Sequence, residues 1–391
     1  MMGWHPASGG PTLRVLIAPQ EFKGSLSARA AARAMAQGLR RALPDALLDL
    51  LPVADGGPGT VGALIEAASG DLKEISTQDP LGRPVQATWG LLPDGTAVIE
   101  MAAASGLSLL TAGERDPRRA STYGTGQLIR AALDAGCRRI IVGVGGSATN
   151  DGGAGAAQAL GARFLDARGE ELPPGGAALA RLARIDASGL DKRLAGCRVL
   201  VATDVTNPLC GPEGASMIYG PQKGAEPALA RQLDAALAHY ALVLQRDLGV
   251  DVADRPGAGA AGGLAAGLVA FAGAEIRSGF DLVAEAVGLR ERLREADLVL
   301  TGEGRLDLQT GFGKTTAGVA ALAREAGVPV IALVGGLAEG YEVSAGPFHA
   351  VLAITSGPMS LEEAQARAAE LVATAAEHLG RLISVGQQLG R

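Results

Sequence analysis

At 391 residues the chain is long enough for two or three domains at roughly 150 residues each. Its 48% hydrophobic and 19% charged content excludes a disordered or low-complexity polymer. A formal net charge of -6 supplies no basic field for nucleic acid or an anionic membrane, so neither is expected as a partner and a small molecule is the default.

Met1 to Gly10 has no apolar core segment and reads as a frayed start, not a signal peptide. Leu13–Ala18 reads as a strand. Ser27 can cap a helix that passes through Met35 and Leu39 and stops at Pro44, and Leu47–Val53 supplies the next strand. From Val85 the pattern changes, because VQATWGLL and TAVIEMA flank Pro93-Asp94-Gly95 as two strands flank a hairpin turn. Further strands are expected at Arg139–Val144 and Arg198–Ala202, and a long helix at Pro227–Leu248. Pro256 to Ala274 is uncharged but holds six glycines, so it reads as a loop followed by a buried helix and not as a membrane span. Asp297–Thr301, Val330–Val334 and Ala350–Thr355 then restore β-α-β alternation.

The expected fold class is therefore α/β, with two α/β domains. Residues 11–75 and 281–391 would form a Rossmann-like, discontinuous domain on a parallel sheet. Residues 76–280 would form an inserted domain on a mixed sheet, with the active site in the cleft.

Three cysteines (Cys137, Cys197 and Cys210) lack any CxxC spacing and suit a reducing, cytoplasmic setting. The four histidines lie outside every glycine-rich segment, which leaves no basis for a His-activated nucleophile or a His-ligated zinc. Chemistry must rest on carboxylates, lysines and backbone amides. Only five lysines are present, and three of them, Lys23, Lys223 and Lys314, sit beside glycines in EFKGS, PQKGA and GFGKT. A compact ammonium beside unshielded amides suits phosphate or carboxylate binding.

Segment 143–153, GVGGSATNDGG, follows a strand and precedes a helical stretch. Gly145 and Gly146 allow close backbone approach, Ser147, Thr149 and Asn150 offer polar side chains, and the helix start offers amides, together an anion site. Asp151 could hold Mg²⁺ or cap that helix. Asp55 in LPVADGGPGT, Asp204 in TDVTNPLCG, and Glu303 and Asp307 in TGEGRLD each follow a strand as well. Carboxylates at the ends of parallel strands favour a metal-assisted acid/base site, although each could be a surface turn. GAGAAG at 257–262 lacks the preceding strand of a dinucleotide site, and LQTGFGKT has Leu308 where a P-loop needs glycine.

Seven segments in order, IAPQEFKGSLSA (17–28), PVADGGPGT (52–60), GVGGSATNDGGAG (143–155), ATDVTNPLCG (202–211), YGPQKGA (219–225), GAGAAGGL (257–264) and LTGEGRLDLQTGFGKT (300–315), resemble the type I glycerate kinase family. The resemblance implies ATP-dependent phosphorylation of D-glycerate with ATP and Mg²⁺ as cofactors, with 2-phosphoglycerate as the expected product. The motifs leave open a kinase of another small hydroxy acid or a non-catalytic, ligand-binding relative. Lys23, Ser25 and Asp55 are the candidates for the substrate, and Gly145, Gly146, Ser147, Thr149 and Asn150 for the phosphates. Lys223 and Lys314 are catalytic candidates, while Asp151 and Asp204 are candidates for base or metal ligand. Gln20 and Pro58 stand where the family usually has acidic residues.

Overall fold

A computed structural model describes residues 12–54, 56–57, 59–306, 315–339 and 346–389. Asp55, Pro58, Asp307, Leu308 and Lys314 lie outside them. Numbered along the chain, the strands are β1 Arg14–Ile17, β2 Leu47–Leu50, β3 Asp71–Gln78, β4 Pro84–Leu91, β5 Thr96–Glu100, β6 Arg139–Gly143 and β7 Arg163–Leu165. They continue with β8 Arg184–Asp186, β9 Arg198–Ala202, β10 Glu275–Arg277, β11 Leu298–Glu303, β12 Val330–Val334 and β13 Ala350–Ala353. The chain divides into two compact units, one of residues 1–53 with 288–391 and the other of residues 54–287.

The discontinuous unit is built on the fully parallel order β13-β12-β11-β1-β2. Val15, Ile17, Leu298, Leu300 and Leu333 of its strands are buried, as expected of strands covered on both faces. The Ser27 hydroxyl caps helix Ala28–Ala42 by accepting from the Ala30 amide at 3.2 Å. Met35 and Leu39 of that helix share a core with Leu371, Val372 and Ala376 of helix Ala368–Leu389. The two helices approach closely at Gly38, where a Cβ would lie 2.0 Å from the Ala373 carbonyl oxygen.

The other unit carries a six-stranded mixed sheet, β10-β9-β6-β5-β4-β3, in which β10, β9, β6 and β5 run parallel and β4 is antiparallel to both neighbours. A separate antiparallel pair joins β7 and β8. The expected hairpin is β4 and β5, with Asp94 accepting from the Thr96 amide at its turn. Helix Pro227–Leu248 has the bounds read from the sequence. No described helix is long and apolar enough to cross a membrane.

Two details differ from the sequence reading. Helix Thr60–Ala68 packs on the mixed sheet, since Val61 and Ile65 cover Gly90 and the Val61 amide donates to Glu100 Oε1 at 2.7 Å. Residues 54–75 therefore belong with the second unit. DLKEISTQ forms strand β3, which lacks the apolar alternation that signals a strand because it is the exposed edge of the sheet.

Candidate active site at the ends of the parallel strands

In the second unit, β6 and β9 end side by side, with Gly143 paired in register with Ala202. The loop after β2 crosses these ends at Gly56, whose φ is +86°. A Cβ on Gly143 would lie 2.3 Å from the Gly56 carbonyl, and one on Gly56 would lie 2.7 Å from that of Ala202. The glycines are thus required by close backbone approach.

The chain then turns through Gly145 and Gly146, the most accessible residues of the loop, before descending into the protein. Ser147 is 8% exposed, and Thr149 and Asn150 are fully buried. A strip that the sequence reading passed over holds this loop. The Ser105 carbonyl accepts from the Ala148 amide, the Leu107 amide donates to the Gly146 carbonyl, and Gly106 bridges to Ser147. Asn150 Nδ2 donates to Ser216 Oγ at 2.8 Å.

Asp151 is the loop's anchor. Its Oδ2 accepts from the Thr122 amide at 2.8 Å, the Thr122 hydroxyl at 2.9 Å and the Gly155 amide at 3.2 Å, and its Oδ1 accepts from the Gly153 amide at 3.2 Å. The Thr122 hydroxyl in turn accepts from the Ala156 amide. The amides at the start of helix Ala154–Ala159, expected to be available for an anion, are thus taken by the protein's own Asp151 and Thr122. Burial pushes the Asp151 carboxyl up, against the hydrogen bonds from Thr122, Gly153 and Gly155 that pull it down.

Lys223, only 1% exposed, donates from Nζ to the Thr149 carbonyl at 2.7 Å. Burial pushes its amine down to about 7, with the nearby Asp151 opposing. The folded protein then binds fewer protons at this site than the unfolded chain between pH about 7 and the ordinary 10.5, so this group makes stability rise with pH across that window. Lys223→Met removes the contribution. The urea unfolding midpoint of wild type should therefore rise relative to that of the variant as pH increases above about 7, and parallel pH profiles would contradict it.

GAGAAG, weak as a dinucleotide motif, forms the far wall of the loop. Ala261, Gly262 and Gly263 take three consecutive left-handed conformations before helix geometry begins. The Gly262 carbonyl accepts from the Gly152 amide at 2.9 Å.

Asp204 lies half-buried beyond β9, with Oδ1 accepting from the Ser278 hydroxyl and the Gly279 amide, both at 2.9 Å. Among the described residues no group of three or more His, Cys, Asp or Glu side chains could hold a metal ion. Asp151, ringed by N–H and O–H donors, does not fit a cation ligand, and Asp204 already uses one oxygen to accept from Ser278 and Gly279 at the start of helix Gly279–Ala286.

The discontinuous unit presents its own strand-end cluster. Lys23 is exposed, and the Ser25 hydroxyl donates to the Phe22 carbonyl at 2.9 Å within a tight turn. Beside that turn a Cβ on Gly304 would lie 3.3 Å from the Lys23 amide nitrogen. Glu303, at the end of β11, accepts from the Thr316 hydroxyl. Gly145 to Asp151 and Lys223 are thus brought together in one unit, with Asp204 on the neighbouring strand end, whereas Lys23 and Ser25 belong to the other. Asp55 and Lys314 are outside the described residues.

The architecture is that of an α/β protein whose glycine-rich turns and polar side chains gather at the carboxyl ends of its parallel strands, where open sheets of this class bind ligands. A family model described as the glycerate kinase family matches residues 15–384. The chain is 49% identical over 367 residues to glycerate kinase of Halalkalibacterium halodurans, covering 93% of this chain and 97% of that protein. It is 47% identical over 382 residues to glycerate 2-kinase of Escherichia coli, covering 96% and 99%. The crystal structure of a Salmonella typhimurium LT2 protein assigned as glycerate kinase 2 superposes with a TM-score of 0.87 at 49% identity, over 97% of this chain and 100% of that one. The chain belongs to the glycerate kinase family.

Proposed function

We propose that this protein transfers the γ-phosphoryl group of ATP to D-glycerate and forms 2-phosphoglycerate. The observation that carries the reading is identity near one half, over almost the full length of both chains, with proteins named glycerate kinase. The name glycerate 2-kinase of the Escherichia coli relative supports attack by O2.

Phosphoryl transfer asks a protein mainly for positioning and charge stabilisation. In this reading Gly145 and Gly146 face the ATP phosphates, since they are the accessible part of their loop. Ser147 completes the turn, and Thr149, Asn150, Asp151 and Lys223 hold it from behind by the bonds described above. Asp204, half-buried while Asp151 is enclosed, takes the proton of the attacking hydroxyl. Lys23 binds the glycerate carboxylate, with Ser25 shaping its turn. Asp55 is a further substrate candidate and Lys314 a further phosphate candidate. Mg²⁺ reaches the protein as the ATP complex, where it would neutralise phosphate charge. The free Cys137, Cys197 and Cys210 support a cytoplasmic setting in this reading.

Lys23→Ala should raise the KM for glycerate by about 10- to 100-fold and leave the KM for ATP nearly unchanged, since a hydrogen bond to a charged group contributes ~1.5–3 kcal/mol. A change confined to the ATP KM would move Lys23 to the phosphates. A panel of small hydroxy acids, with the phosphorylated carbon assigned by NMR, tests substrate and product together. Phosphate on O3, or faster turnover of another acid, would overturn this reading.

A further inference from the structure

A further cavity is lined only by residues of the second unit, none of them from the glycine-rich loop itself. It is an open cleft of about 1260 Å³ between the β3–β4 turn, residues 118–123, the end of helix Ala154–Ala159 and residues 171–181. Four arginines line it, Arg118, Arg119, Arg163 and Arg181, against two carboxylates, Asp79 and Glu171.

Both carboxylates are already engaged. Asp79 accepts from Arg83 Nε at 2.5 Å and from the Leu81 and Arg83 amides, and Glu171 accepts from Arg163 Nε at 2.6 Å. Arg118 is held by Asp116 at 2.8 Å. Arg119 and Arg181 make no close ion pair among the described residues and feel only the more distant carboxylates Asp116 and Asp166, which leaves both guanidinium groups able to take a ligand. Leu172, Pro173 and Ala178 add apolar wall.

The cleft is built into the fold. A Cβ on Gly175 would lie 2.2 Å from the Arg118 carbonyl and 2.5 Å from Arg119 Cα, so the arginine-bearing segments are packed back to back. We propose that this cleft binds a small organic dianion, a dicarboxylate or a phosphate ester, through Arg119 and Arg181. Two guanidinium groups supply the paired donors such an ion needs, and the apolar wall accommodates its carbon skeleton.

The site also adjoins the phosphate loop. Ser121, which lines the cleft, precedes the Thr122 that holds Asp151, and a Cβ on Gly176 would lie 2.3 Å from the Asn150 carbonyl. An occupant therefore bears on the two segments that brace residues 150–151. The proposal stands apart from the phosphotransferase reading because its test involves no turnover.

The test is calorimetric titration of the full chain with succinate and, separately, with glycerol 3-phosphate. It is run on wild type, on the double variant Arg119→Ala/Arg181→Ala and on Lys23→Ala. We expect at least one probe to bind wild type and Lys23→Ala alike and to lose tenfold or more in affinity to the double variant. Because both arginines are exposed, the double variant should melt with wild type. Hydrogen exchange of wild type with the bound probe should slow at residues 118–123 and 171–181. Binding by neither probe below about 10 mM, equal binding to the double variant, or protection confined to residues 22–28 would each overturn the proposal.

Discussion

Asp151→Ala should lower the unfolding free energy by about 3 kcal/mol or more and cut kcat by about 100-fold. The side chain removed accepts from three buried backbone amides, those of Thr122, Gly153 and Gly155, and from the Thr122 hydroxyl. Each buried donor left unsatisfied costs ~1–3 kcal/mol. The raised carboxyl means that burying this charge is itself costly, which offsets part of the loss but restores no acceptor to the amides. In a unit of this size such a loss shifts the melting temperature on the order of 10 °C. The effect on turnover follows because the loop bearing Gly145 and Gly146 is braced at residue 151, and a displacement of about 1 Å can cost ~10²-fold in rate. Asp151→Asn, which keeps one carbonyl acceptor, should fall between wild type and Asp151→Ala. Thermal unfolding and steady-state kinetics of the three proteins check this. An Ala variant that melts and turns over with wild type would show that the carboxylate anchors nothing.

Gly262→Ala should be nearly as damaging, and for a separable reason. Its φ is +68°, which costs an L side chain ~1–2 kcal/mol. Its Cβ would also lie 2.0 Å from the Thr149 carbonyl oxygen and 2.7 Å from Asn150 Cα. Backbone cannot give way there without moving the carbonyl that accepts from Lys223. Gly273→Ala is the matched control, with φ +60° and no heavy atom within 4 Å of the added Cβ. Gly273→Ala should cost only the conformational penalty and leave kcat unchanged, whereas Gly262→Ala should lose a further ~1–3 kcal/mol by overpacking and at least tenfold in kcat. Equal effects from the two substitutions would refute the close-packed wall.

The strands at Arg139 and Val330 and the helix at Pro227 are legible in the sequence because their apolar periodicity decides burial on its own. Strand β3 is not, because an exposed edge needs no apolar face. Helix Thr60–Ala68 falls within the 11–75 span assigned from sequence to the first domain, and only its packing on Gly90 places it on the mixed sheet.

At the site, the glycine-rich segments mark the loop but not the division of labour within it. Asp151 reads first as a metal ligand from sequence, with a helix cap as the alternative, and it is Thr122, twenty-nine residues away, together with the Gly153 and Gly155 amides that occupies its oxygens. A lone threonine and a lone Ser105 carry no local signal of that role. The one signal that could have exposed the wall at 261–263 is the density of glycine itself. GAGAAGG has no strand before it, so its glycines had to serve close packing or left-handed turns, and here they serve both.

Glycerate-dependent phosphoryl transfer is read out by following ADP formation from ATP and Mg²⁺ with and without D-glycerate, and identifying the phosphorylated product by NMR. ADP formation should depend on glycerate, be abolished by EDTA, and be matched mole for mole by 2-phosphoglycerate. Glycerate that binds without any ADP being formed would contradict it and leave a ligand-binding member of a kinase family.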